Sequence, residues 1–196
     1  MAQNNFTEAS ILQFNYYKSL GEKTFDQLSD EELFWQYNTE SNSIAVIVNH
    51  LHGNMLSRWT DFLTTDGEKE WRNRDQEFED IITTRKELLG KWNSGWACLF
   101  KALSTVNESN FNQLIYIRNQ GHTITEAILR QLAHYSYHVG EIVYIGRMIK
   151  GAEWQSLSIA KGNSQAYNAE KFSQEKKKQH FTEEFLNKSK KKNRSF

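Results

Sequence analysis

The chain predicts an all-α protein, a four-helix bundle with a peripheral C-terminal helix and tail. Three observations carry that expectation. None of the 196 residues is proline. Glycine is sparse through the middle of the long periodic stretches. Four of those stretches place apolar residues three or four positions apart, the period of one helix face. Four long helices joined by loops bury such stripes by packing as a bundle.

Taken in order, the first helix spans Thr7 to Leu20, with Ile11, Phe14 and Tyr17 at helical spacing and Gly21 suited to end it. Thr24 to Trp35 forms a short turn of helix and a connection, because Ser29-Asp-Glu-Glu32 is a capping box. The second long helix runs from Asn42 to Leu63, where Thr64-Thr-Asp-Gly67 stops it. Residues 66–79 are too charged and aperiodic for core and read as a long loop. A third helix from Thr84 to Val106 carries Leu88, Trp92, Leu99 and Leu103 as its stripe. Phe111 to Arg118 is an extended connector, since a single strand would have nothing to pair with. The fourth helix opens at Thr123 or Thr125, carries Ile124, Ile128, Leu132, Tyr135, Val139 and Ile142, and ends near Lys150-Gly151. A short peripheral helix around Ala166 to Lys178 follows, so residues 1–165 form the bundle domain and 166–196 a basic, partly helical or disordered tail.

Composition narrows the function classes. The length suits one domain with a sizeable core, and no apolar run approaches the roughly 18 residues that would span a bilayer. The N-terminus lacks a basic segment followed by an apolar one, so the expected location is cytoplasmic. Cys98 is the only cysteine, which excludes an internal disulfide and any multi-cysteine metal site. A metal would have to rely on His, Asp or Glu. The zero net charge hides a tail, residues 171–196, with nine Lys or Arg against three Glu. That tail reads as a solvated end rather than a nucleic-acid contact.

The chemistry-bearing feature is Gln131-Leu-Ala-His134-Tyr-Ser-Tyr-His138-Val-Gly-Glu141. On a helix, a spacing of four turns the second imidazole only about 40° from the first, so both leave one face a turn apart and can reach one metal. The best third ligand is His50, in the apolar run before Leu51-His52; His52 points about 160° away and cannot serve the same site. The residue after His134 is Tyr135, not the Glu of a zinc-peptidase motif, which disfavours peptidase chemistry. Glu141 follows His138 closely enough to orient that imidazole or become a fourth ligand; it is equally readable as a solvated helix carboxylate.

Three runs carry a resemblance: Val48-Asn-His50 through Gly67, Arg72 through Glu79, and Gln131 through Gly140. Over about residues 8–165 the chain resembles the DinB/YfiT-like superfamily, most closely a bacterial subgroup described only as a domain of unknown function. The resemblance implies a four-helix bundle, often a homodimer, that holds a divalent metal, zinc or nickel, with three histidines. Carried over residue by residue, these are His50, His134 and His138. It further implies transfer of a low-molecular-weight thiol of the bacillithiol type to a small electrophile. His52 stands where a small residue is common in that superfamily.

The second class of function is non-enzymatic, a dimeric bundle with a structural or vestigial metal site and a partner-binding surface. Other residues have simpler assignments. Arg58 and Asp61 pair across a helix surface, and the Arg72-Asn-Arg74-Asp75 segment ties a loop down rather than clamping an anion. His122 and His180 face solvent, and Cys98 is an inert core thiol. Trp71 and Trp154 serve packing within one chain or contact between two.

Overall fold

The computed structural model describes residues 2–186. Three of the four long helices begin where a hydroxyl side chain accepts a backbone N–H in the first turn. Ser43 caps α3 (Ile44–Trp59), Thr84 caps α4 (Arg85–Ser104) and Thr123 caps α5 (Ile124–Lys150), the last two as complete capping boxes with Glu87 and Glu126. Helix α1 (Ala2–Phe25) precedes them, and the one-turn α2 (Asp30–Leu33) carries the expected Ser29–Glu32 box. The chain is mostly helical, as its composition predicts. Helix α3 lies along α4 and α1 along α5, and contacts of α3 with α5 and of α1 with α4 close the bundle.

The core is aromatic. Phe25, Trp92, Trp96, Tyr135 and Phe14 form a continuous ring chain with centroid separations of 5.1, 5.4, 5.9 and 5.9 Å. That chain explains the first departure from expectation: α1 does not stop at Gly21 but continues to Phe25. A Cβ at Gly21 would lie 2.5 Å from Trp92 Cζ2, so this glycine admits the indole and ends nothing. Helix α3 is shorter than expected, ending at Trp59 because Asp61 turns into the left-handed region at φ 47°.

Residues 111–118 hold the second departure. Leu114–Ile117 (β1) pairs antiparallel with Gln120–Thr123 (β2) through a two-residue turn in which Arg118 and Asn119 have φ of 56° and 59°. That is the primed turn geometry whose twist suits a hairpin. Asp66, far away in sequence, accepts both turn N–H groups at 2.8 Å, which offsets the cost of the left-handed pair.

Helix α6 (Ser164–Phe172) is shorter than the expected 166–178. Beyond it the chain returns to α1, where Tyr16 packs against Phe181 and Phe185 and Thr182 is fully buried. The rest of the basic tail, residues 187–196, lies outside the described residues. No helix among the described residues is long and apolar enough to cross a membrane. Trp71 is exposed, whereas Trp154 is half-buried near Gly146.

Candidate metal centre

Helix α3 presents His50, and α5 presents His134 and His138 one turn apart on a face beside its core stripe. The two helices bring the three rings together. His134 Nε2 lies 3.3 Å from His50 Nε2 and 3.1 Å from His138 Nε2, and one nitrogen from each ring falls within 4.8 Å of the others. His50 and His138 are buried, and His134 is half-buried. His52, two residues along α3, lies outside the cluster; burial pushes its imidazole down to about 4, with Lys91 contributing.

The outer ring nitrogens are held by carboxylates. Glu77 Oε2 lies 2.9 Å from His50 Nδ1, and Glu141 Oε2 lies 2.7 Å from His138 Nδ1. Each carboxylate requires an N–H at Nδ1 and so leaves the inward Nε2 as a bare lone pair. His134 Nδ1 is buried with no partner among the described residues. A neutral His134 carries one proton, and from Nε2 it can satisfy only one of the two facing lone pairs at a time.

Glu77 was not among the expected site residues. It sits on a 3-10 turn, Asp75–Phe78, inside the charged segment read as a long loop. In the structure that segment is pinned to α3, and two of its charged side chains, Arg72 and Glu77, are buried. Asn49 Nδ2 donates to the carbonyls of Gln76 and Glu77 at 3.2 and 3.0 Å. The missing side chain of Gly53 leaves the space that the Glu77 carboxylate occupies. Phe78 stacks on the His50 ring with centroids 4.6 Å apart. Arg72 grips Glu77 with two bonds, Nε to Oε1 at 2.7 Å and Nη2 to Oε2 at 2.9 Å. Its Nη1 reaches Glu68, which also receives Arg58 Nη1 at 3.0 Å and Arg118 Nη2 at 3.2 Å.

Arg72 thus ties the loop down, as expected. Arg58 does not pair with Asp61 on a surface: it is buried, and it donates to the Gly67 carbonyl and to Glu68. His122 and His180 are half-buried rather than solvent-facing, the first beside Arg130 and the second bonded to Thr182 Oγ1 at 2.7 Å. Cys98 is half-buried, its sulfur 3.6 Å from Thr60 Oγ1.

The electrostatics favour neutral imidazole at His134 and His138. Burial, then His138 and His50, then Arg58 and Arg72 push His134 down to about 3. His138 is also lowered, mainly by burial, against the opposing bond to Glu141. Burial alone would raise the Glu77 carboxyl, but the bonds from Arg72 and His50 outweigh it and hold Glu77 below the usual carboxylate range. Neutral imidazole is the form that ligates metal.

With this geometry in place, comparison with known proteins adds one finding. The family model described as "Protein of unknown function (DUF1572)" matches residues 1–163. The chain belongs to the DUF1572 family. No curated protein and no solved structure matches it. The matched region ends just before α6, so it contains all four long helices and every residue of the histidine cluster.

The donor set of this DUF1572 protein fits a metal ion. Three imidazole nitrogens each about 2.1 Å from one ion stand about 3.4 Å apart in tetrahedral geometry and about 3.0 Å apart at right angles. The separations from His134, 3.1 and 3.3 Å, fall within that range, and the His50 and His138 nitrogens lie within 4.8 Å of each other. The three histidines could therefore hold a metal ion.

Proposed function

We propose that this protein is a DinB-like metalloprotein in which His50, His134 and His138 bind one divalent ion, zinc or nickel, and that it transfers a low-molecular-weight thiol of the bacillithiol type to a small electrophile. The observation that supports it most is the convergence of three Nε2 atoms, two of them on rings aimed by carboxylates. A three-histidine set leaves coordination positions open, the pattern of catalytic rather than structural sites. A divalent ion there would supply a Lewis-acid position at which a thiol gives up its proton to become the nucleophilic thiolate.

The chain's own residues do the rest. Glu77 and Glu141 hold protons at the two Nδ1 atoms and fix the ring orientations. Phe78 covers one face of His50 and limits water there. Gln131 is buried three residues before His134, and its Oε1 has no partner among the described residues, so it offers an acceptor to a bound substrate.

Two measurements test this. Protein purified without a nickel column should contain about one divalent ion per chain, and alanine at all three histidines should abolish it; retained metal would sink the site. Turnover of a model electrophile with a panel of thiols should depend on that metal. Absence of a metal-dependent rate with every thiol would refute the transferase reading while leaving the site intact. A structural metal would then be indicated by a fall in thermal stability on metal removal.

A further inference from the structure

Two buried side-chain atoms of α5, Gln131 Oε1 and His134 Nδ1, have no hydrogen-bond partner among the described residues. They belong to residues three apart in sequence. Positions i and i+3 of a helix are neighbours, and helical side chains lean toward the N-terminus, so the His134 ring lies over the turn that Gln131 occupies. Gln131 is 3% exposed, which keeps its amide out of solvent. An unpaired buried polar group is costly, and two side by side call for one explanation. The other unpartnered buried side-chain atoms among the described residues are Arg58 Nε, Trp92 Nε1 and Trp96 Nε1, and all three are donors. Gln131 Oε1 is therefore the acceptor to which an N–H at His134 Nδ1 can turn.

We propose that Gln131 is the positioning residue of His134: its amide oxygen accepts the Nδ1–H of the ring when Nε2 is on a metal ion, as Glu77 and Glu141 do for His50 and His138. The inference rests on the metal reading above. Gln131 Oε1 has two lone pairs, so holding the imidazole leaves one for a substrate.

The tautomer of His134 explains why neither atom is paired in the metal-free chain. Glu77 and Glu141 fix His50 and His138 with their protons outward, at Nδ1. His134 Nε2 faces the two bare Nε2 atoms at 3.3 and 3.1 Å, so the single proton of that ring belongs at Nε2. Its Nδ1 is then a lone pair, and a lone pair does not bond the lone pair of a carbonyl oxygen. With an ion on Nε2, the neutral ring carries its proton at Nδ1, and the two orphans become donor and acceptor. One proton leaves Nε2 and one arrives at Nδ1, so the ring stays neutral. A carboxylate behind His134 would only accept. A primary amide presents Oε1 to one tautomer and, after a half-turn about its soft terminal torsion, its N–H₂ to the other. The three histidines are therefore unequal: two are locked in the binding tautomer beforehand, and the third adopts it on binding.

The test uses the full chain, zinc and two variants. Heteronuclear NMR of the imidazole nitrogens should show His134 protonated at Nε2 in metal-free protein and at Nδ1 in zinc-loaded protein, with His50 and His138 holding Nδ1–H in both. Gln131→Leu offers no acceptor and should bind zinc about 10–100-fold more weakly. Its metal-free stability in urea should not fall, because the lost group was an unpaired one. Gln131→Glu keeps an acceptor and should bind zinc at least as tightly as the parent. A His134 already protonated at Nδ1 in the metal-free parent, parental zinc affinity in Gln131→Leu, or a Gln131→Glu loss as large as that of leucine would each overturn the inference. Absence of zinc binding by the unaltered chain would sink the metal reading itself, and this inference with it.

Discussion

Glu77 and Glu141 make the same bond to a site histidine from different surroundings, and substituting each with glutamine separates what the surroundings contribute. The Glu77 side chain is 7% exposed and grips Arg72, itself 2% exposed, whereas the Glu141 side chain is 33% exposed. Glu77→Gln removes the charge that neutralises a buried guanidinium and turns an amide N–H₂ toward its donors. Breaking a buried pair on one side costs about 3–5 kcal/mol. Glu68 still neutralises part of Arg72, so the loss should fall near the lower end, about 3 kcal/mol. Glu141→Gln strands no buried charge and should cost less than about 1 kcal/mol. Both variants remove a carboxylate behind a histidine of the proposed metal site, so both should lose zinc affinity by about 10–100-fold. Urea unfolding of metal-free protein, followed by tryptophan fluorescence, reads the first difference, and zinc competition with a chelating dye reads the second. Equal stability losses for the two variants would refute the argument that the loop charges are buried structure. Unchanged zinc affinity in both would refute the role assigned to the carboxylates. Adding Arg72→Met to Glu77→Gln should restore about 1–2 kcal/mol, because no buried charge is then left unpaired.

Three further outcomes follow from the same contacts. In metal-free protein, folding pushes His134 down to about 3 from the 6.5 of an unperturbed imidazole, so between those values the unfolded state binds more protons and stability must fall as pH drops below about 6.5. Glu77, lowered from 4.5, adds a contribution present above that value and lost as pH falls through its folded one; His134→Gln should lessen the slope of the upper window, to which His52 and His138 also contribute, and leave the lower, as read by urea midpoints from pH 7 to 3. Gly53→Ala should destabilise by about 1–3 kcal/mol by displacing Glu77, despite alanine's better helix propensity, and a stabilised variant in thermal melts would count against the packing. Asp66→Ala leaves two turn N–H groups without their acceptor and should cost about 1–2 kcal/mol, with amide exchange accelerated first in residues 114–123.

The four long helices were legible because their signals are local. Thr84-x-x-Glu87 and Thr123-x-x-Glu126 cap where a capping box should, and no proline interrupts the stripes. The elements misread depend on distant partners. Gly21 looks like a helix stop until Trp92 is placed against it. Likewise Arg118-Asn119 lacks the Asn-Gly signature of a primed turn, and only Asp66 makes the pair a good one.

The site divides along the same line. His134 and His138 are joined by helical period, and their conjunction with His50 needs only that α3 and α5 share the bundle interior. Glu77 needed more, because acidic and basic residues in an aperiodic stretch are ordinarily solvated. Its burial is possible because the counter-charge Arg72 comes from the same stretch, and Arg72 is shared with Glu68, which also pairs with Arg58 of α3 and Arg118 of the hairpin turn. The partner surface on α3 is also written in sequence, as Asn49, His50 and Gly53. One clamps the loop backbone, one receives the carboxylate, and one makes room for it. An amide, an imidazole and a glycine within one helical turn therefore carry information about a carboxylate 24 or more residues away, since a glycine on a buried helix face is otherwise a needless cost of about 1 kcal/mol. What occupies the space beside such a glycine is the question to ask of an aperiodic charged segment before assigning it to solvent.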